Sequence, residues 1–316
     1  MEEEVDERIL HLLSSLIAHK NRADAKGWRD AFENMPVYLQ RVELESDVNT
    51  LPVIHVAGTK GKGSTCAMLE SMLRQCGYRT GLFTSPHLVD VRERVRINGC
   101  MVDKSVFESH FWWCYERFNS LATPEVGVPG YFRFLTLLAL KIFVHQHVDV
   151  VVLEVGIGGR LDATNIIPAP VVCGITALGM DHMDMLGDTL PKIAGEKAGI
   201  LKPGVPGLTV QQPEDAMEVI REAARHVQAP LQVVPPLDDL QPEDGPGPIP
   251  VGLGGEHQRM NAALAVQLCS KFEERRLASG NAAPGAGSRL ELLRQGKLPA
   301  QYGQGLRDTS WLGRST

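Results

Sequence analysis

The spacing of apolar residues along the chain predicts alternating strands and helices. Short apolar runs, such as residues 51–57 and 149–155, are typical of strands buried on both faces of a sheet. Longer segments between such runs repeat apolar residues at helical spacing. Predicted strands cover residues 51–57, 79–83, 91–97, 149–155, 171–178, 205–210 and 231–234, and predicted helices cover 5–20, 63–76, 103–119, 131–147, 213–228 and 257–276. This alternation predicts an α/β fold with a mainly parallel sheet and flanking helices.

Residues 91–97 differ from the other predicted strands because apolar and charged side chains alternate along them. That pattern is typical of a strand with one face in water, and Asn98-Gly99 is a strong hairpin signal. The charged side chains of Arg92, Glu93, Arg94 and Arg96 would then form the solvated face of this strand.

The end of the chain has a different composition. Residues 235–255 are rich in Pro and Gly and predict a loop. From residue 280 onward Gly, Ala, Pro and Gln are frequent and no periodicity is evident. We therefore expect one domain over residues 1–280 and a linker or tail over 281–316.

Composition and charge exclude several classes of protein. The 316 residues are 43% hydrophobic and 22% charged, which is typical of a globular protein and not of a disordered or fibrous one. The net charge of −6 argues against a general nucleic-acid binder. No apolar run approaches the roughly 18 residues of a membrane helix, and the acidic start of the chain resembles no targeting signal. Together with six scattered cysteines, these features predict a cytoplasmic protein with reduced thiols.

The strongest chemical signal is the string GTKGKGST, which occupies residues 58–65 between a predicted strand and a predicted helix. Glycines allow a loop to turn its N–H groups toward a phosphate, and the following helix presents the positive end of its dipole. Lys62 adds a full positive charge. The string differs from the usual phosphate loop because Gly63 separates Lys62 from Ser64 and Thr65. The alternative is a glycine-rich turn that caps a helix.

Seven segments, taken in chain order, resemble the folylpolyglutamate synthases, which are ATP-dependent amide ligases related to the Mur ligases. The segments are HVAGTKGKGST, TSPHLVDVRERVRING, YFRFLTLLA, EVGIGGRLDATN, LGMDH, EKAGI and GEHQRMNAALA. They span residues 51–270, and their order is far more specific than any one of them. The resemblance implies a P-loop nucleotide-binding fold like the central domain of the Mur ligases.

The resemblance also implies a reaction. ATP phosphorylates the γ-carboxylate of a reduced folate, and the amine of L-glutamate attacks the resulting acyl phosphate. The implied cofactors are ATP and Mg²⁺, with a monovalent cation as a further candidate, and the implied form is a monomer. Dihydrofolate synthase, a bifunctional enzyme and a catalytically incomplete nucleotide-binding fragment are alternatives. A generic P-loop NTPase is a weaker alternative, because Glu154 stands alone where an acidic pair is usual.

The resemblance assigns one set of residues to the nucleotide and the metal. Lys62 would contact the outer phosphates, and the family's hydroxyl ligand of magnesium corresponds to Ser85. Taken without the resemblance, Ser85 could be a turn residue, Glu154 could cap a backbone turn, and His182 could be structural. The nucleotide residues by resemblance are Lys60, Gly61, Lys62, Gly63, Ser64, His257, Asn261 and Arg314, and the metal ligands are Ser85, Glu154 and His182. Gln258 belongs with His257 and Asn261 to the segment that, by resemblance, lies beside the adenine.

Lys197, in the segment EKAGI, is a second catalytic candidate. By resemblance this lysine is carbamylated and helps to hold a metal ion, because an ammonium group cannot coordinate a cation. The alternative is a lysine on the surface of a helix.

Other assignments are less specific. By resemblance Asp162, Thr164 and Asn165 belong to a polar loop near the active site, and Arg133 lies in a segment that would line the folate site. The charged run over residues 92–96 would have a further role in attracting an anionic polyglutamate tail.

The family has a second, C-terminal domain with an Asp-Gly-Ala-His-type motif, which we do not find in this sequence. The last residues include the string WLGR, which resembles the linker before that domain. We therefore expect the chain to stop before the second domain. A form with an upstream start would allow a mitochondrial location.

Overall fold

The structure is a computed structural model that describes residues 5–18, 29 and 31–311. Its centre is an eight-stranded sheet in the order β4-β3-β2-β5-β1-β6-β7-β8. The strands are β1 (Val53–Ala57), β2 (Thr80–Phe83), β3 (Val95–Ile97), β4 (Cys100–Met101), β5 (Val150–Glu154), β6 (Val172–Ile175), β7 (Gly207–Thr209) and β8 (Leu231–Val233), with β9 (Gln241–Pro242) and β10 (Lys297–Leu298) in a separate pair. In the order of the sheet, every neighbouring pair from β2 to β8 is parallel, whereas the pairs β2–β3 and β3–β4 are antiparallel. The expected α/β fold with a mainly parallel sheet is confirmed.

Helices cover both faces of the sheet. They are α1 (Glu7–Ala18), α2 (Met35–Arg41), α3 (Asp47–Thr50), α4 (Lys62–Gln75), α5 (Lys104–Ser120), α6 (Tyr131–His145), α7 (Met183–Leu186), α8 (Leu190–Ala198), α9 (Glu214–Val227), α10 (His257–Ala278), α11 (Ala286–Arg294) and α12 (Ala300–Asp308). Helices α4, α10 and α12 pack on one face, and α1, α2, α5, α6, α8 and α9 cover the other. Among the residues described, no helix has both the length and the apolar character that crossing a membrane requires.

The register of the central strands determines which residues meet at the carboxyl edge of the sheet. Val56 of β1 is level with Glu154 of β5, and Ala57 is level with Ile175 of β6. The loops that follow β1, β2, β5 and β6 therefore start side by side, as ligand-binding loops do in open parallel sheets.

The prediction for residues 91–97 is wrong in part. Residues Val91–Arg94 form a 3₁₀ turn, and only Val95–Ile97 is strand. The side chains of Arg92, Glu93 and Arg94 are buried, so they are not a solvated strand face. The reason is local bonding, because the Glu93 carboxylate accepts hydrogen bonds from the backbone N–H groups of residues 88–90. The predicted turn at Asn98-Gly99 is present, with positive φ at both residues.

The expectation of a linker or tail from residue 281 also differs from the structure. Helices α11 and α12 lie in this segment, and α12 packs along α4. A buried ion pair ties α11 to α10 through Arg289 and Glu273. These short helices contain several Gly residues, so their apolar spacing was too irregular to predict a helix. Residues 312–316 lie outside the described part of the chain.

Candidate active site

The phosphate-loop string forms a sharp turn between β1 and α4. Gly58 has φ +145° and Gly61 has φ +84°, values that side chains with a Cβ rarely adopt. Helix α4 begins at Lys62, directly after the second of these glycines. The backbone N–H groups of Thr59 and Lys60 both donate to the Ala177 carbonyl, at 3.1 and 3.0 Å. The loop is thus tied to the segment that follows β6.

Both glycines are also closely packed. A Cβ on Gly58 would lie 1.8 Å from Oγ1 of Thr176, and a Cβ on Gly61 would lie 2.2 Å from Oδ1 of Asn261. Thr176 belongs to the β6 end and Asn261 belongs to α10, so two elements besides α4 press against the loop. The loop is therefore a fixed turn, and no larger residue fits at either position.

Helix α10 approaches the loop with its first turn. Gln258 is buried and its Nε2 donates to Oγ of Ser64 at 3.4 Å, while Nδ2 of Asn261 donates to Oε1 of Gln258 at 2.9 Å. His257, the first residue of α10, is exposed. Of the three residues that the resemblance names on this helix, Asn261 thus packs on the loop, Gln258 bonds to Ser64, and His257 does neither.

Glu154 and Ser85 come together at the ends of β5 and β2. The Ser85 backbone N–H donates to Oε2 of Glu154 at 2.9 Å, which is a turn-capping contact. The other oxygen, Oε1, lies 3.7 Å from where a Cβ on Gly63 would stand, at the start of α4. Glu154 is only 3% exposed, so this carboxylate is a buried negative charge at the positive end of a helix dipole.

His182 does not join this pair. Its side chain is exposed, its φ is +48°, and its Nε2 lies 3.6 Å from Oδ2 of the adjacent Asp181. In the described ranges, three or more His, Cys, Asp or Glu side chains nowhere gather in a group that could hold a metal ion. Two of the three predicted metal ligands are therefore in contact, and the third stands on the neighbouring loop.

Lys197 lies inside the site and not on the surface. It is 3% exposed, and its Nζ donates to the Gly58 carbonyl at 2.7 Å. Burial, helped by the positive charge of Lys62, lowers the pKa of Lys197 to about 8. The alternative of a surface lysine is wrong, because α8 turns this residue toward the loop after β1.

Asp162 organises the loop that follows Glu154. Its carboxylate accepts hydrogen bonds from the Thr164 hydroxyl at 2.6 Å and from the backbone N–H groups of Ile157 and Thr164 at 3.1 and 2.9 Å. Oγ1 of Thr164 in turn bonds to Nε2 of the buried His55 at 2.8 Å. Burial raises the pKa of Asp162 and lowers that of His55 to about 3, so His55 is neutral. The predicted polar loop is therefore a bonded structural unit beside the carboxylate.

Three residues that shape the site were not predicted from the sequence. Thr176 packs on Gly58, and Gln212 holds the segment after β6 by donating to the Thr176 carbonyl at 2.9 Å. The third residue is Trp311, whose indole lies 3.5 Å from where a Cβ on Gly63 would stand. The guanidinium of Arg96 lies over this indole, with 4.8 Å between Cζ and the ring centroid. The resemblance of the string WLGR to the family's linker was the one feature of the sequence that pointed to Trp311. The predicted nucleotide contact Arg314 falls outside the described residues.

Comparisons with known proteins agree on one group of enzymes. The chain is 53% identical over 264 residues to a folylpolyglutamate synthase of Arabidopsis thaliana, an alignment that covers 84% of this chain and 46% of the relative. It is 49% identical over 291 residues to the mitochondrial folylpolyglutamate synthase of Homo sapiens, covering 90% and 49%. A solved FPGS–AMPPCP–folate complex superposes with a TM-score of 0.78 at 26% identity, covering 96% of this chain and 72% of that one. No protein-family model matches the chain.

The chain is a homologue of the folylpolyglutamate synthases. It spans about half the length of the curated relatives that it matches. The resemblance of the seven segments is thus confirmed. In this homologue of the synthases, the site described above combines a phosphate-type loop, a buried carboxylate and a buried lysine at one sheet edge.

Proposed function

We propose that this chain binds MgATP and takes part in the ATP-dependent ligation of glutamate to the γ-carboxylate of a reduced folate. The observation that carries this proposal is the convergence of the 58–64 loop, Glu154 and Lys197 on the carboxyl edge of the sheet. The FPGS complex with AMPPCP and folate supports the pairing of a nucleotide with a folate on this fold. The reaction forms an acyl phosphate from the γ-carboxylate, and the amine of glutamate displaces phosphate from it.

The chemistry needs positive charge around the transferred phosphate, because a carboxylate is a poor electrophile and the phosphates repel it. Lys60, Lys62 and the N-terminus of α4 supply that charge, and Gly61, Gly63 and Ser64 form the turn that receives the phosphates. His257 and Asn261 are proposed to lie beside the adenine and Arg314 to contact the nucleotide, as the resemblance implies.

A magnesium ion fits the residues at this edge. Mg²⁺ prefers few protein carboxylates together with phosphate oxygens and water, and Glu154 is one buried carboxylate with an oxygen beside the start of α4. Glu154 and Ser85 would hold the ion, and His182 would approach it from the loop after β6. Bound there, Mg²⁺ would supply Lewis-acid stabilisation of phosphate charge.

Lys197 is proposed to be the carbamylated lysine of this site. The modification joins the neutral amine to carbon dioxide and releases a proton, so it requires a lysine that loses its proton readily. A pKa of about 8 leaves an appreciable fraction of Lys197 neutral near physiological pH. Carbon-13 NMR of the folded chain in ¹³C-bicarbonate buffer is expected to show a carbamate signal that Lys197→Met lacks.

The proposal is tested by mass spectrometry of tetrahydrofolate incubated with the purified chain, MgATP and L-glutamate. We expect a product heavier by one or more glutamyl residues, and we expect Glu154→Gln to abolish it. Glu274→Gln, a change of an exposed glutamate that pairs with Lys271, is the matched control and should retain the product. A parallel reaction with dihydropteroate tests the dihydrofolate synthase alternative. No product from either acid, with the wild-type chain folded, would contradict the proposal.

A further inference from the structure

Arg133 is a half-buried cation that has no counter-ion within the described part of the chain. It is the third residue of α6, and within residues 5–18, 29 and 31–311 it forms neither a hydrogen bond nor an ion pair. Other arginines of this region are engaged. Arg41 donates to two backbone carbonyls of the loop before α6, and Nε of Arg94 donates to Nδ1 of His87 at 2.8 Å. Arg133 is thus an exception among its neighbours.

The first turn of α6, which carries Arg133, packs against the loops that follow β2 and β5. The preceding residue, Phe132, packs so closely on Gly156 that a Cβ there would lie 2.4 Å from its ring. Gly156 is two residues after Glu154. The Phe132 ring also packs against Phe83 at the end of β2, with 5.8 Å between ring centroids. The first turn of α6 is therefore fixed against the loops that carry Ser85 and Glu154.

Among the residues that the structure describes, no side chain neutralises Arg133. Burial lowers the pKa of its guanidinium, and Tyr38 and Asp162 are the groups whose charge would oppose that effect. Tyr38 is neutral at physiological pH, because burial raises its pKa. The Asp162 carboxylate is committed to backbone N–H groups and to the Thr164 hydroxyl. A half-buried guanidinium in such surroundings gains most from a carboxylate that arrives with a ligand.

The proposed substrate carries two carboxylates on its terminal glutamate. The γ-carboxylate must reach the phosphate-loop side of the site, where Lys60, Lys62 and the N-terminus of α4 supply positive charge. Arg133 follows Phe132 in the first turn of α6, its Nη1 lies 3.8 Å from where a Cβ on Gly130 would stand, and its guanidinium is within electrostatic reach of Asp162 in the loop after β5. We propose that Arg133 binds the non-reacting α-carboxylate of the substrate's terminal glutamate and so selects a glutamate-terminated acid. This inference rests on the proposed function.

The test is a thermodynamic cycle in which Arg133 and the α-carboxylate of the ligand are removed separately and together. Calorimetry measures the Kd of folate and of an analogue with 4-aminobutyrate in place of glutamate, which keeps the γ-carboxylate and lacks the α-carboxylate. Each ligand is measured with wild type, Arg133→Gln and Arg133→Lys. Arg79→Gln, a change of an exposed arginine bonded to Gln146, is the matched control.

Removing Arg133 should affect only the ligand with the α-carboxylate. We expect Arg133→Gln to weaken folate binding about tenfold or more and to change binding of the analogue less than about twofold. Arg133→Lys should give an intermediate loss for folate, because it keeps the charge without the two-pronged geometry. The Kd of MgATP should stay unchanged in both variants, and Arg79→Gln should match wild type throughout.

Two results would overturn the inference while leaving the proposed function standing. One is an equal loss of affinity for both ligands, which indicates a structural role for Arg133. The other is unchanged folate binding in Arg133→Gln. If wild type binds MgATP but neither ligand, the proposed function and this inference fail together.

Discussion

Two parts of this molecule bury charged side chains, and they do so in opposite ways. Behind α4, Glu273 is fully buried and accepts hydrogen bonds from Arg289, from the Tyr302 hydroxyl at 3.0 Å and from the Tyr78 hydroxyl at 3.3 Å. At the carboxyl edge of the sheet, Lys197 and Arg133 are buried or half-buried with no carboxylate bonded to them in the part of the chain described.

The difference separates charge that serves the fold from charge that serves a ligand. A buried ion pair with every oxygen occupied holds α10, α11 and α12 together and leaves no capacity for a ligand. Buried cations without such partners are costly to the fold, and they are retained where a phosphate or carboxylate can arrive. Buried charges are thus fully paired around Glu273 and lack a carboxylate partner at the carboxyl edge of the sheet.

The largest expected effect comes from breaking the complete pair. Glu273→Ala should lower the free energy of unfolding by about 3–5 kcal/mol, because it leaves the buried Arg289 without its partner. Urea unfolding followed by circular dichroism measures this loss. The neighbouring exposed Glu274→Ala should change stability by less than about 0.5 kcal/mol. A loss from Glu273→Ala no larger than that of its control would show that the pair does not hold the C-terminal helices.

The pH dependence of stability tests whether Lys197 is a buried lysine without a carboxylate partner. The pKa of Lys197 is about 8 in the fold against an ordinary 10.5, so the unfolded chain binds more protons between these values. Stability contributed by this residue should therefore rise with pH across that window, by about 1 kcal/mol per pH unit. Lys197→Met should lose this rise, and the exposed Lys192→Met should keep it.

Unfolding in urea at pH 7–10, in buffer depleted of carbon dioxide, measures the effect of Lys197. The stability of wild type relative to Lys197→Met should be lowest below pH 8 and increase above it. A difference that stays constant from pH 7 to 10 would mean that Lys197 is not a buried cation.

The smallest expected effect concerns Gln258, which supports Ser64 and Asn261 from α10. Gln258→Ala should raise the Kd of MgATP about two- to fivefold, because it removes a contact with the free energy of one neutral hydrogen bond. Gln267→Ala on the same helix should leave it unchanged. Calorimetry measures both, and identical affinities in the two variants would remove Gln258 from the site.

The sequence predicted those parts of the site that depend on local pattern. The strand–loop–helix over residues 53–75 follows from an apolar run, glycines and helical spacing, and the structure has it with shifts of one or two residues. Ser85 was assigned to the site only through the resemblance, and its contact with Glu154 arises because the neighbouring parallel strands β2 and β5 end side by side. The roles assigned to these residues stay predictions.

The remaining features depend on tertiary contacts that have no local pattern. Lys197 is buried because α8 packs against the loop after β1, which its own helix does not indicate. Arg92 and Arg94 are buried because Glu93 turns the chain before β3, although their alternation with apolar residues is typical of an exposed strand. Helices α11 and α12 form around Glu273, which lies in another element. In each case a distant partner overrides the local signal.

The central claim is that the carboxyl edge of the sheet is a nucleotide site built around Lys62. Its most direct test is calorimetric titration of MgATP into wild type, Lys62→Ala and Lys192→Ala, with folding of each checked by circular dichroism. We expect saturable binding in wild type and in Lys192→Ala, whose lysine is exposed and pairs with Asp188. Lys62→Ala should bind about ten- to hundredfold more weakly, as expected for the loss of a charged phosphate contact. Equal affinity in Lys62→Ala and wild type, or no binding by the folded wild-type chain, would contradict the claim.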